Sequence, residues 1–135
     1  MLNGLTESLN FQSQALVLRA QRQRLIAGNI ANADTPGYQA RDLDFAAALR
    51  EATAGAGTHG SLAATRAGHI AAPTGARAEP HLLYATPAQP ALDGNTVDMD
   101  RERASFADNT VKYEATLRFI NGSVRTMLDA IRGGQ

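Results

Sequence analysis

Two runs of helical hydrophobic spacing occupy the ends of the chain, with an irregular stretch between them. Toward the N-terminus the ladder Leu2, Leu5, Leu9, Gln12, Leu16, Arg19, Gln23, Ile26, Ile30, Ala33 is apolar at seven of ten rungs, and its three polar rungs fall in the middle third. Alternating steps of three and four place such rungs along one side of an α-helix. Leu18 and Leu25 lie beside the stripe and widen it. A wide stripe can meet more than one neighbour, whereas a strict coiled-coil seam meets one. Asn3 is the expected N-cap, with Glu7 near the positive end of the helix dipole. The helix is expected over residues 1–34. It stops where Pro36 disfavours a helical Thr35 and where Pro36-Gly37 suit the central positions of a type II turn.

The C-terminal ladder reads Met99, Arg103, Phe106, Thr110, Tyr113, Leu117, Ile120, Val124, Met127, Ile131, apolar at eight of ten rungs. Asp98 is the expected N-cap, and Asp100 and Glu102 suit the first turn. This helix is expected over residues 98–133, ending at Gly133-Gly134. Arg118, Arg125 and Arg132 recur every seven residues. They read either as a solvated face or as a line that pairs with acidic groups of a neighbour. Gly122 costs about 1 kcal/mol of helix stability relative to Ala and leaves room for close approach by another helix.

Both helices exceed the usual length of about 11–12 residues by a wide margin. So short a chain cannot cover two such stripes with its own middle. The pattern predicts a mainly α single domain in which the terminal helices, about 45 Å long at 1.5 Å per residue, pack as an antiparallel, coiled-coil-like pair and also meet other subunits. The middle segment, residues 35–97, is irregular. Ala, Gly, Thr and Pro dominate from Ala52 to Pro90, and Pro73, Pro80, Pro87 and Pro90 exclude a long helix there. Residues 44–50 predict about two helical turns capped by Asp44. Composition alone allows disorder, and apolar pieces such as Leu82-Leu83-Tyr84 leave room for one or two short strands, as in a small β-hairpin.

Composition removes whole classes of function. The chain has 135 residues, and its 13 basic and 13 acidic side chains cancel. No positive excess is available to bind nucleic-acid phosphates or anionic lipid. There is no cysteine, which excludes disulfides, thiolate nucleophiles and Cys-based zinc sites. Trp is absent and aromatics are 5%, too few for stacking platforms. No apolar run of about 18 residues is present to span a membrane. The N-terminus lacks the basic and apolar regions of a cleavable secretory signal. No phosphate-binding glycine loop, nucleophile elbow or His-Glu-x-x-His motif occurs, so an enzyme is not expected. His59, His69 and His81 are spaced too widely to form a locally fixed metal pair. No cofactor and no metal are expected.

The informative local stretch is Ala27-Gly28-Asn29-Ile30-Ala31-Asn32-Ala33-Asp34-Thr35-Pro36-Gly37-Tyr38. Asn29 and Asn32 share one face just before the turn. Their amides can bond the last helix carbonyls, the turn backbone or a neighbouring subunit. The stretch resembles the N-terminal signature of bacterial flagellar axial proteins, an N-x-x-N-x-x-T-x-G-Y pattern closing a long amphipathic helix. Asn29, Asn32, Thr35, Gly37 and Tyr38 occupy its fixed positions, with Pro36 filling the turn. A second stretch, Asp93-Gly94-Asn95-Thr96-Val97-Asp98-Met99-Asp100-Arg101-Glu102 followed by Phe106-Ala107-Asp108-Asn109 and Tyr113, resembles the C-terminal half of the short proximal rod members of that family. So does Arg41-Asp42-Leu43-Asp44-Phe45.

The resemblance implies a structural protein of the flagellar basal body that self-associates in a helical tube. The tube is the periplasmic rod, which transmits torque and encloses the export channel. Implied partners are other rod proteins of the FlgC type, the rod-base adaptor FliE, the MS-ring protein FliF and the export gate. It also implies export without a cleaved signal peptide. Phe45 and Leu49 resemble an F-x-x-x-apolar export-gate motif, and read without the family they are one face of a small amphipathic turn. Two other readings remain: another short rod protein of the FlgC type, and a cytosolic helical adaptor or export chaperone. A rod subunit is expected to keep its terminal helices frayed until assembly, and an adaptor to hold both in isolation.

Overall fold

A computed structural model describes residues 2–54, 82–85 and 91–133. The histidines and four prolines of the middle segment discussed above lie outside the described residues. In chain order the elements are α1 (Leu2–Ala31), β1 (Arg41–Leu43), α2 (Phe45–Thr53), β2 (Leu82–Tyr84) and α3 (Met99–Arg132).

The helices α1 and α3, of 30 and 34 residues, run antiparallel. Gln23 bonds Thr110 and Arg19 bonds Thr116, so the α3 number rises as the α1 number falls. Caps follow the sequence reading at two starts. Asp98 accepts from the backbone N–H groups of Asp100 and Arg101, and Asp44 accepts from that of Ala47. The start of α1 differs. The helix begins at Leu2, so Asn3 stands inside its first turn rather than at the cap. The C-terminal end of α1 falls at Ala31, and residues 32–37 form turns.

The small sheet is antiparallel, with Arg41 opposite Tyr84, Asp42 opposite Leu83 and Leu43 opposite Leu82. It is not a tight hairpin, because α2 and residues 54–81 intervene between its strands. β1 carries no strand pattern of its own. Its three residues are Arg, Asp and Leu, and pairing in the fold makes the strand.

The hydrophobic core sits on the α2 side of α1. Leu18, Leu43 and Ala48 are buried together, with Leu25, Phe45 and Leu49 packed around them. Ile26 and Ala40 are each 1% exposed. One flank of α1 therefore covers β1 and α2. The polar rungs Arg19 and Gln23, which interrupt the α1 ladder, turn toward α3.

Candidate functional site

Two polar networks stand out, and both join the N-terminal part of the chain to its C-terminal half. The first closes α1. Asn32 donates its amide to the Gly28 carbonyl at 2.8 Å, satisfying one of the carbonyls the helix end would leave open. Thr35 donates its hydroxyl to the Asn32 side-chain oxygen at 3.2 Å. The Tyr38 N–H bonds the Thr35 carbonyl at 3.2 Å, closing a turn with Pro36 and Gly37 at its centre. Gly37 has φ +71°, the left-handed value that the third position of a type II turn requires and glycine adopts without steric cost.

Asn29 works differently. It is 1% exposed, and its amide behaves as a neighbouring strand would. The nitrogen donates to the Arg41 carbonyl at 2.7 Å, and the oxygen accepts from the Arg41 N–H at 3.0 Å and from the Tyr38 hydroxyl at 3.3 Å. One side chain thus pins β1 to the last turns of α1 and orients the Tyr38 ring.

The segment 93–96 completes this lock. Gly37 donates to the Asp93 carbonyl at 2.8 Å, Thr96 donates to the Tyr38 carbonyl at 3.0 Å, and Ala40 donates to the Thr96 hydroxyl at 2.8 Å. Asn95 is the keystone. Its amide nitrogen reaches the carbonyls of Asn32, Ala33 and Thr35 at 3.0, 2.8 and 2.8 Å. Its oxygen accepts from Val97, and its own N–H bonds the Asp93 carboxylate. Gly94, at φ +73°, brings its backbone against Gly37, where an added Cβ would lie 3.7 Å from the Gly37 Cα. Asn95 is buried, and removing its amide would leave these three carbonyls without that donor, at a cost of about 1–3 kcal/mol.

The second network is the α1–α3 seam. Asn109 is fully buried, and its nitrogen donates to the Arg19 carbonyl at 3.0 Å and to the Gln23 side-chain oxygen at 2.6 Å. Gln23 in turn donates to Thr110 at 3.0 Å. Arg19 donates to the Thr116 hydroxyl at 3.3 Å, and its guanidinium lies 4.4 Å from the centre of the Phe45 ring. Arg19 therefore touches both α3 and α2. Burial pulls its pKa below the ordinary value, with the nearby Arg22 charge adding to the effect. Arg22 makes a two-pronged ion pair with Asp42 at 2.9 and 3.0 Å, and that hydrogen bonding raises its pKa. At this exposure the pair contributes about 1 kcal/mol or less.

A cavity of about 100 Å³ separates this pair from the start of α3, with Asp98, Arg101 and Glu102 on its far wall. Burial pushes the Glu102 carboxyl above its ordinary value, opposed by hydrogen bonding to Asn29.

The helix-packing residues read from the ladders divide. Ile26 is buried, and Leu5, Leu9, Leu16, Ile30, Tyr113, Ile120 and Met127 are half-buried. Phe106, Leu117, Val124 and Ile131 are exposed, at 40%, 37%, 40% and 67%. The reason is a rotation of α3. Glu102, Asn109, Thr116 and Ser123, one residue before the ladder rungs at 103, 110, 117 and 124, join the rungs Tyr113, Ile120 and Met127 on the inward side, and all are buried or half-buried. Sequence reasoning missed Asn95 and Asn109 as individual site residues. A polar residue every seven positions reads as a solvated face, and Asn95 lies in a loop without periodicity. Phe45 and Leu49 are half-buried against the core around Leu18.

The family model described as "Flagella basal body rod protein" matches residues 9–39, the greater part of α1 and the turn that closes it. Similar over nearly their whole lengths are three proteins named flagellar basal body rod protein FlgB. That of Proteus mirabilis is 50% identical, covering 99% of this chain and 100% of the relative. That of Salmonella typhimurium is 50% identical with 99% of each covered, and that of Escherichia coli K12 is 47% identical with 99% of each covered.

Proposed function

The chain belongs to the FlgB family of flagellar basal body rod proteins, and on that footing we propose that its place is the proximal, periplasmic part of the rod, where copies associate in a helical tube that transmits torque and encloses the export channel. It is a structural component of the basal body rod and assembles with other rod components. Its finer neighbours in this reading are a FlgC-type rod protein, the adaptor FliE, the MS-ring protein FliF and the export gate. In the same reading it reaches the rod through the flagellar export channel. Among the described residues no helix is long and apolar enough to cross a membrane. Phe45 and Leu49 serve the gate before folding, since in the folded subunit they pack against Leu18 and Leu43.

The observation that carries the reading is the outward apolar side of α3. Leu117, Val124 and Ile131 lie exposed on a helix that turns Asn109 and Thr116 inward beside Tyr113, Ile120 and Met127. Burying large apolar side chains is worth about 1.5–3 kcal/mol each. Neighbouring helices would supply that burial and offset the entropy of ordering two long helices. The turn lock sets where the middle segment leaves the tube wall.

The test is complementation of a strain lacking the gene with Leu117→Asp and Ile120→Asp variants. Both place an unpaired charge in the packed layer. Non-motile cells without completed rods are expected. Normal swimming with normal rods in both variants would overturn the proposal.

A further inference from the structure

The seam between α1 and α3 has a composition that stability alone does not explain. One of the two heptad rows that α3 turns inward is polar, Glu102, Asn109, Thr116 and Ser123, and it runs beside the half-buried row Tyr113, Ile120, Met127. Apolar Leu117 and Val124, next in the chain to two of the polar row, are left outside. Turning α3 by about one residue, roughly 100°, would exchange the two sets. The polar set is the one chosen, and Asn109 is its most deeply placed member, at 0% exposure. Its nitrogen is held by two acceptors one turn apart on α1, the Arg19 carbonyl and the Gln23 side chain. Its oxygen is buried with no hydrogen-bond partner among the described residues. Thr116 differs, because its hydroxyl also donates to the Lys112 carbonyl of its own helix and so has a partner wherever α1 lies.

We propose that Asn109 is the register-determining residue of the helix pair, fixing the axial position and rotation of α3 against α1 at a cost in subunit stability. The physical reason is an asymmetry of penalties. An apolar residue at this position packs acceptably against several rows of a neighbouring helix. A buried amide is tolerated only where acceptors meet it, and sliding by one heptad, about 10 Å, puts Leu16 or Ile30 where Gln23 stands and removes the side-chain acceptor. Gln23 strengthens the choice, since it accepts from Asn109 and donates to Thr110 in the same register. The inference concerns the subunit itself and stands independently of where in the rod the protein sits.

Spin labels give the measurement. The chain has no cysteine, so exposed Ala27 on α1 and Ala107 on α3 are replaced by cysteine and labelled in the full chain. The distance distribution is read by double electron–electron resonance, and the thermal midpoint by circular dichroism. The parent is expected to show one narrow population. Asn109→Leu keeps the branch at Cγ and deletes the polar atoms. It is expected to add a second, displaced population while the midpoint stays at or above the parent's. Thr116→Val, which also removes a seam hydroxyl, is expected to keep the single population. A single parental distance in Asn109→Leu overturns the proposal, as does a split distribution in the parent or equal splitting in Thr116→Val. If Asn109→Leu does not fold, the distribution of Asn109→Ala decides by the same criterion. Failure of both to fold overturns the proposal too, because a register device is dispensable for stability.

Discussion

The two ends of the α1–α3 pair are built on opposite terms. At the end where α1 stops and α3 starts, four polar side chains (Asn29, Asn32, Asn95 and Thr96) tie helix, turn, strand and returning segment together. Every bond there lies within one chain. At the other end the helices have no third layer among the described residues, and Val124, Leu128 and Ile131 are exposed. A subunit built this way is finished at one end and open at the other. Its own sequence satisfies the first, and neighbours would satisfy the second.

The largest expected effect on the isolated subunit comes from breaking the finished end. Asn29→Ala removes the amide that pairs with both polar groups of Arg41 and takes the Tyr38 hydroxyl. With burial that complete, the loss is expected to reach about 3 kcal/mol by chemical denaturation. A loss below about 1 kcal/mol would mean that water replaces the amide without penalty. Gly37→Val comes next, at about 2 kcal/mol. A Cβ there meets nothing within 4 Å, so the cost is backbone strain at φ +71° and not a clash. Gly37→Asn should recover most of it, since Asn tolerates the left-handed region. The Val variant is expected to be exported yet fail to join the rod, read by fractionating the periplasm and imaging basal bodies. Normal assembly would remove the turn from the account.

A smaller effect concerns pH. Burial raises the Glu102 pKa above its unfolded value, so the folded state prefers the neutral carboxyl. The associated stability is fully present below the unfolded pKa and is lost as pH rises through the folded one. Glu102→Gln should flatten that slope just above the ordinary carboxylate range and leave the subunit slightly more stable at neutral pH. Asp108 works in the opposite direction. Its pKa is lowered by the hydrogen bond from Lys112, so its contribution is lost as pH falls through the folded value. A Glu102→Gln variant with the parent's pH profile would show that the cavity is wet enough to hydrate the charge.

The smallest expected change sharpens the contrast most. Val124→Asp, at the open end, should shift subunit stability by no more than about 0.5 kcal/mol while blocking rod assembly. Hydrogen exchange should follow the same gradient. Amides of residues 18–31 and 99–116 are expected to be protected, and those of residues 2–12 and 121–132 to exchange quickly in the free subunit. Uniform protection along both helices would erase the distinction between the ends.

Much of this architecture was legible in the residue pattern. Three-four spacing marked both long helices, Pro36-Gly37 marked the turn that follows α1, and Asp44 and Asp98 marked two helix starts, because these signals act over a few residues. Asn3 misled for the same local reason: its side chain suits a cap, but the helix continues past it to Leu2. Other features depended on segments far apart in sequence. β1 becomes a strand only when residues 82–84 lie beside it. Asn95 matters only because the returning chain lays its amide on the open carbonyls of α1. The rotation of α3 was decided in three dimensions as well. Arg19 and Gln23 interrupt the apolar ladder of α1, and their polar groups need acceptors and donors across the seam. That need draws Asn109 and Thr116 inward and turns Leu117, Val124 and Ile131 out. Periodicity shows that a helix has an apolar stripe, but pairing of buried polar groups decides which neighbour the stripe will face.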